Sequence, residues 1–266
     1  MRGPIEAAIT ARRDSGSRAL IPFITSGYPN KRQFNRLMNE FIGTGADIIE
    51  VGIPFSDPMA DGKTIQFSSQ KALENGVTIR STLDNLSSLR DGRNVPIVLM
   101  SYLNPILSYG LKKFAKDASN CGVRGLIIPD LIPDEGAKIE QVCRKADIDL
   151  IYLLAPTSDD TRKRLILKRT HGFLYLVAIA GVTGARGSLP GNLSGWISSI
   201  KRESRYPVCV GFGISNGHQA RTIGRYADGI IIGSAIIDII RRSSANRAAI
   251  EVHNFIKRIR KELTNV

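Results

Sequence analysis

Short runs of apolar and β-branched residues alternate along the chain with longer segments of helical composition. Most of these runs are apolar at consecutive positions, which is typical of strands that are covered on both faces. The predicted strands are Leu20–Thr25, Asp47–Pro54, Pro96–Tyr102, Gly125–Pro129, Leu150–Ala155, Phe173–Ile179, Pro207–Gly213 and Gly229–Ile232. Strands that alternate with helices indicate βαβ units and a parallel sheet.

The segments between these runs have the composition of helices. They are Lys31–Thr44, Thr64–Asn75, Leu111–Asn120, Asp134–Ala146, Asp159–Arg169, Leu193–Ser204, Gly217–Tyr226 and Ala248–Leu263. Pro4–Ser15 is predicted as an extra helix before the first strand, and Ser81–Arg90 as an additional helix after the second βα unit. Eight units in about 240 residues favour an α/β fold, a (β/α)8 TIM barrel, as a single domain over residues 1–266. An open doubly wound sheet is less favoured, because the first strand–helix junction lacks a G-x-G-x-x-G motif.

Composition places the chain among soluble globular proteins, since 42% of its residues are hydrophobic and 23% are charged. The longest apolar runs, Phe173–Val182 and Gly229–Ile237, are shorter than the roughly 18 residues that span a bilayer. Met1–Arg18 lacks the apolar core of a secretory signal. We therefore expect a cytoplasmic protein with no membrane association.

The chain carries 37 basic and 24 acidic residues, a formal net charge of +13. The basic clusters, such as Arg162–Arg169 and Lys257–Glu262, lie in predicted helices and are not interleaved with aromatic residues. We expect solvated helix faces and no nucleic-acid binding, while an anionic substrate or an acidic protein partner stays open. The three cysteines and three histidines show no metal-ligand spacing, so no metal site is predicted.

The second predicted strand contains a carboxylate within an apolar run. Strand alternation places Ile48, Glu50 and Gly52 on one face. Facing a barrel interior, Glu50 would lose water and its pKa would rise toward the range of a general acid or base. The alternative is an ion pair with a lysine of a neighbouring strand, although no strand obviously supplies one.

The loop Ser56–Gln66 after this strand carries two more carboxylates. Asp57 precedes a proline and can be a simple turn-former. Asp61 can cap the next helix, or it can converge with Glu50 on one ligand and share acid–base work.

Glycine-rich turns follow the later strands. Ala180–Asn192 has the composition of a lid, or of a merely flexible connection. Gly211–Ser215 and Ile231–Ala235 follow the seventh and eighth strands, where this fold commonly binds phosphate. Together these residues predict a small phosphorylated substrate and lyase or isomerase chemistry, with no metal and no Schiff-base lysine. They do not identify the substrate.

The run E-V-G-I-P-F-S-D-P-M-A-D-G-K-T-I-Q, residues 50–66, resembles the signature of the tryptophan synthase α-subunit family. The likeness continues in the family's order through Ile21–Pro29, Ser101–Gly110, Ile127–Leu131, Leu154–Ser158, Ala180–Arg186 and the two glycine turns. The resemblance implies a lyase of L-tryptophan biosynthesis. Its reaction would be the cofactor-free retro-aldol cleavage of indole-3-glycerol phosphate to indole and glyceraldehyde 3-phosphate.

The resemblance also implies roles for single residues. Glu50 would protonate indole C3 and help to deprotonate the glycerol hydroxyl, and Asp61 would accept or stabilise the indole N–H proton. The positions implied for substrate binding are Phe23 and Tyr175 at the indole pocket, Thr183 on the lid, and Gly184, Gly213, Gly233 and Ser234 at the phosphate. Two positions depart from the family pattern, Lys63 where proline is usual and Ala178 where serine is common.

The family works with a β subunit, which holds pyridoxal phosphate, so the resemblance implies an α2β2 assembly. Asp57, Pro58 and Asn104 fall in segments that resemble those meeting this subunit. Three alternatives stay open: a non-catalytic activator of the β subunit, a stand-alone indole-releasing lyase, and another phosphate-binding barrel such as indole-glycerol-phosphate synthase. The last would be expected to carry a strand-end lysine, which is not apparent.

Overall fold

Parallel strands form the centre of the protein, whose computed structural model describes residues 2–89, 95–177, 193–211, 213–264 and 266. The strands are β1 (Ala19–Thr25), β2 (Ile49–Gly52), β3 (Ile97–Met100), β4 (Val123–Ile127), β5 (Asp149–Ile151), β6 (Leu153–Leu154), β7 (Leu174–Val177), β8 (Val208–Gly211) and β9 (Gly229–Ile232). They pair in the order β5-β4-β3-β2-β1-β9-β8-β7-β6. The two edge strands, β5 and β6, are separated in the chain by Tyr152 alone, so the sheet closes on itself. The predicted TIM barrel is confirmed, with its fifth strand divided at Tyr152.

Helices surround this barrel. They are α1 (Pro4–Asp14), α2 (Lys31–Gly43), α3 (Lys63–Glu74), α4 (Ile79–Ser88), α5 (Leu103–Tyr109), α6 (Leu111–Asn120), α7 (Ala137–Lys145), α8 (Asp160–Arg169), α9 (Leu193–Glu203), α10 (Gly217–Gly224), α11 (Ser234–Arg242) and α12 (Ala248–Glu262). The predicted extra helices are confirmed as α1 and α4, whereas α5 and α11 are not among the predicted ones. No helix in the described part of the chain is long and apolar enough to cross a membrane.

Side-chain caps fix where several of these helices begin. Asn30, Asp159 and Asn216 each accept a hydrogen bond from the backbone N–H three residues later, at the starts of α2, α8 and α10. Thr78 and Ser81 form a reciprocal capping box at the start of α4. Each cap satisfies one of the amides that a helix leaves without an internal partner.

The apolar core has two layers, inside and outside the sheet. The interior layer contains Ala19, Ile21, Ile48, Val98, Ile127, Ile151, Phe173, Cys209 and Ile231, with Ile5 and Ile9 from α1. Helix α1 therefore closes the amino-terminal end of the barrel. The alternate strand residues, among them Leu20, Ile49 and Val51, pack outward against the helices. This alternation is the one expected of strands covered on both faces.

Ion pairs of the buried carboxylate of Asp47 hold the closed end of the barrel together. Asp47, which precedes β2, accepts a hydrogen bond from the backbone N–H of Leu20 at 2.8 Å and pairs with Arg12 and Arg260. Arg260 also donates to the carbonyls of Arg18 and Gly45, at 2.9 and 2.7 Å. This corrects the expectation that the basic cluster in α12 lies only on a solvated face, because Arg260 joins α12 to the strands.

Candidate active site

A cavity of about 360 Å³ lies at the carboxyl ends of the strands. Its wall brings together seven of the residues selected from the sequence, namely Phe23, Glu50, Asp61, Tyr175, Gly213, Gly233 and Ser234. Thr183 and Gly184, like Ala178, lie outside the described residues. In the described part of the chain, no group of three or more His, Cys, Asp or Glu side chains is arranged to hold a metal ion.

Glu50 is a buried carboxyl group on the interior face of β2. Its side chain is 1% exposed, and Ile48 lies on the same interior face, as the alternation predicts. Its Oε2 atom has no hydrogen-bond partner among the described residues. No ion pair with a lysine is found for Glu50 in the same part of the structure. Burial, and after it the negative charge of Asp61, raises the pKa of Glu50 to about 8, so the group carries a proton at neutral pH.

Asp61 lies on a loop that is held by several hydrogen bonds. The amide of Ala60 donates to the Tyr102 hydroxyl at 2.9 Å, and the side-chain amide of Gln66 donates to the Asp61 carbonyl at 2.8 Å. Asp61 does not cap α3, whose N-cap is Gly62 without a side-chain cap. Burial raises the pKa of Asp61 to about 6, although a hydrogen bond from Tyr102 lowers it. At neutral pH the cavity therefore holds one protonated and one ionised carboxyl group.

Tyr102 is a functional candidate that the sequence reasoning does not select. It follows β3 and is 4% exposed, with its ring packed on Phe55 at 5.2 Å between centroids. Burial and the charge of Asp61 raise the pKa of Tyr102, so its hydroxyl stays protonated and can donate to the carboxylate. Its position at the end of a predicted strand could have identified Tyr102 as a site residue. It was missed because only charged side chains were considered at the end of that strand.

The rest of the wall is largely apolar. The residues involved are Phe23, Met100, Pro129, Leu153, Val177, Ile214 and Ile231. Phe23 lies so close to β2 that a Cβ atom at Gly52 would stand 2.7 Å from its ring, so glycine is required there. Tyr175 also faces the cavity, and burial followed by the charge of Glu50 raises its pKa well above the ordinary value. An apolar cavity with few polar groups suits a flat aromatic ligand.

Two glycine turns also line the cavity. Gly213 has φ of 41°, in the left-handed region that favours glycine, and a Cβ atom there would meet nothing within 4 Å. Helix α11 begins at Ser234 after Gly233, with no side-chain cap. Its first amides are therefore available to a ligand, and a helix N-terminus favours an anion such as a phosphate group.

Comparisons with known proteins agree with this geometry. The family model described as tryptophan synthase alpha chain matches residues 9–265. The chain belongs to the tryptophan synthase α-chain family. The tryptophan synthase alpha chain of Dehalococcoides mccartyi is 44% identical over 246 residues, which are 92% of this chain and 95% of that protein. That of Aromatoleum aromaticum is 42% identical over 263 residues, covering 98% and 97%.

Solved structures of the family have the same fold. The tryptophan synthase α subunit from Legionella pneumophila superposes with a TM-score of 0.92 at 31% identity, covering 100% of both chains. The agreement in fold extends over the whole α-chain length, so the barrel described above is the barrel of this family.

A partly apolar surface lies beside the cavity at the positions that family resemblance assigns to the β subunit. Asp57 and Asn104 are exposed and Pro58 is half-buried. The hydrogen bond between the Ala60 amide and the Tyr102 hydroxyl holds their two segments next to each other. The same segments contain two of the exposed large hydrophobic residues, Met59 at 95% and Leu107 at 51% exposure. Exposed apolar groups of this kind commonly mark a protein contact.

Proposed function

We propose that this chain is the α subunit of tryptophan synthase and cleaves indole-3-glycerol phosphate to indole and glyceraldehyde 3-phosphate as one catalytic domain. The observation that carries the proposal is the buried carboxyl group of Glu50, whose Oε2 atom has no hydrogen-bond partner among the described residues and which lines one cavity with Asp61 and two glycine turns. A protonated and an ionised carboxyl group in one site can divide acid and base work.

The proposed reaction keeps its protons in balance. Protonated Glu50 gives its proton to indole C3, and the positive charge that forms on the ring nitrogen is stabilised by ionised Asp61. The carboxylate of Glu50 then takes the proton from the hydroxyl on the adjacent glycerol carbon. The carbon–carbon bond breaks, its electron pair returns to the ring, and the glycerol carbon becomes the aldehyde. Glu50 ends the cycle protonated, as it began, and proton transfer of this kind typically contributes about 10²- to 10⁴-fold to the rate.

The cavity has a place for each part of this substrate. Phe23 and Tyr175 would enclose the indole ring, and the phosphate would be held by the backbone at Gly213, Gly233 and Ser234. By family resemblance, Gly184 would also bind the phosphate, and Thr183 of the lid would lie close to Asp61.

We further propose that a β subunit docks on the surface around Asp57, Pro58 and Asn104, in a cytoplasmic α2β2 assembly. Exposed Met59 and Leu107 in the same segments support this. Pyridoxal phosphate would belong to the partner, and the chain described here would need no cofactor of its own. Asp57 and Pro58 belong to the loop that carries Asp61, and the hydroxyl of Tyr102 accepts a hydrogen bond from Ala60 of the same loop, so docking would act directly on that loop.

The test is indole release from indole-3-glycerol phosphate by the chain alone and with a tryptophan synthase β subunit. We expect release that rises with the β subunit and falls at least about 10³-fold in Glu50→Gln. Glu74→Gln, which removes an exposed carboxyl group of α3, is the matched control and should behave as the unmodified chain. High release without any partner would indicate a stand-alone lyase. Folded protein that accelerates the β reaction but releases no indole would contradict the catalytic roles of Glu50 and Asp61.

A further inference from the structure

Lys63 is the cationic side chain among the described residues that line the cavity. It begins α3, two residues after Asp61, and its side chain is exposed. The other ionisable residues of the same wall are Glu50, Asp61 and Tyr175. A ligand with a doubly charged phosphate group therefore enters a cavity that already holds the ionised carboxylate of Asp61. Among the described wall residues, Lys63 is the one whose charge can offset this negative charge.

The packing of two helices places Lys63 near the glycine turns. The hydroxyl of Thr64 donates to the carboxylate of Asp238, with 3.4 Å between the oxygens. Asp238 lies one turn along α11 from Ser234. The first residues of α3 therefore lie beside the first turn of α11, whose first residue, Ser234, is part of the cavity wall.

The ammonium group of Lys63 is not engaged elsewhere in the described structure. The lysines found in ion pairs there are Lys71, Lys113, Lys163 and Lys201. The pKa of Asp61 is determined by burial and by Tyr102, and the charge of Lys63 is not among its causes. In the described structure, neither Asp61 nor Asp238 forms an ion pair with Lys63.

We propose that Lys63 contacts the phosphate group of the substrate and determines the affinity of the cavity for a phosphorylated ligand. The inference rests on the proposed function and deepens it, since it names a side chain that selects a small polyol phosphate over its uncharged analogue. The flexible four-carbon stem allows the ammonium group to reach an anion held at the α11 N-terminus.

The experiment measures binding without turnover, by titration calorimetry of glycerol 3-phosphate and, separately, of indole. In Lys63→Met, glycerol 3-phosphate should bind about 5- to 10-fold more weakly while indole binds unchanged, since only the phosphate loses a charged contact. Lys63→Arg should keep most of the affinity. Lys71→Met removes a charge from the same helix, away from the cavity, and should bind both ligands as the unmodified chain does.

Salt gives an independent reading. Binding of glycerol 3-phosphate to the unmodified chain should weaken more steeply with added salt than binding to Lys63→Met, because an ionic contact is screened. The proposal is overturned if Lys63→Met binds glycerol 3-phosphate normally, or if it loses both ligands equally, which would indicate a change in the shape of the cavity. Lys63-dependent binding by a chain that releases no indole would contradict the proposed function and leave this inference standing.

Discussion

Asp47 lies just before β2 and Glu50 lies within it, three residues later, yet the partners of their carboxyl groups are very different. Asp47 has two arginines and a backbone amide as partners, whereas Glu50 has an oxygen with no hydrogen-bond partner in the described structure. Both are buried, at 9% and 1% exposure. Burial alone therefore does not decide what a carboxyl group does; its partners do.

The same contrast separates the two ends of the barrel. At the amino-terminal end, Asp228 repeats the arrangement of Asp47, accepting from the Val208 amide at 2.9 Å and lying 2.7 Å from the Lys201 ammonium group. At the carboxyl end, neither Glu50 nor Asp61 forms an ion pair with a cation among the described residues. In this fold the first end serves stability and the second carries chemistry. Groups that are left unpaired at the second end reduce stability and become available to a substrate.

Breaking the ion pairs of Asp47 should cause the largest loss of stability. Asp47→Asn leaves Arg12 and the mostly buried Arg260 without a counter-charge, so the free energy of unfolding should fall by about 3 kcal/mol. Chemical denaturation at neutral pH measures this. Asp14→Asn, at an exposed aspartate beside Arg13, is the control and should change it by less than about 0.5 kcal/mol. Equal effects of the two substitutions would show that the Asp47 cluster does not stabilise the barrel.

Replacing Glu50 by a neutral residue should raise the free energy of unfolding, the opposite of the effect at Asp47. The pKa of Glu50 is about 8 in the folded chain against 4.5 for an unperturbed glutamate. The folded state therefore binds more protons between these values, and Glu50 costs stability progressively as pH rises through that window. Glu50→Gln should be more stable than the unmodified chain by about 3 kcal/mol at pH 7. Denaturation at pH 4 and pH 8 measures the difference, which should nearly vanish at pH 4. A gain of the same size at both values would refute the assigned cause.

The pH profile of indole release tests both carboxyl groups at once. Asp61 must be ionised and Glu50 protonated, so kcat/KM should rise with pH through about 6 and fall above about 8. Each limb should change up to about tenfold per pH unit. Asp61→Asn should lose the acid limb along with most of the activity. A flat profile between pH 5 and 9 would mean that these groups do not titrate in the rate-determining step.

Tyr102 should give the smallest effect, because it acts through Asp61. Tyr102→Phe removes a hydrogen bond that lowers the pKa of Asp61, so the acid limb of the profile should move to higher pH. At pH 7 we expect kcat to fall about 5-fold, equivalent to the loss of one ordinary hydrogen bond. A merely structural role would lower activity without moving that limb.

Local pattern predicted the barrel and the face on which Glu50 lies, because a strand's alternation fixes both. It did not delimit α11, because S-A-I-I-D-I-I continues the apolar run of β9; only Ile236, Ile237 and Ile240 facing the core reveal a helix. Short α5 was missed because Asn104-Pro105 interrupts the helical pattern and the helix ends after seven residues.

Contacts between distant segments were outside the reach of the sequence. Arg260 is 213 residues from Asp47, and nothing in the α12 pattern separates it from the solvated arginines around it. Tyr102 meets the Asp61 loop only because β2 and β3 are neighbours in the sheet. The sequence pattern identified the cavity residues because they lie at strand ends. It did not identify the residues that hold them in place, such as Tyr102.

The break at Tyr152 has a consequence for the size of molecule that this barrel can hold. β5 pairs with β4 and β6 pairs with β7, and the described backbone hydrogen bonds across the break run from the amides of His171 and Tyr175 to the carbonyls of Leu150 and Tyr152, at 3.0 and 3.3 Å. Leu153, directly after the break, is part of the cavity wall. Widening the ring there disturbs fewer ladder hydrogen bonds than widening it elsewhere. A bulkier substituent on the aromatic ring of a ligand would therefore be tolerated best on the Leu153 side.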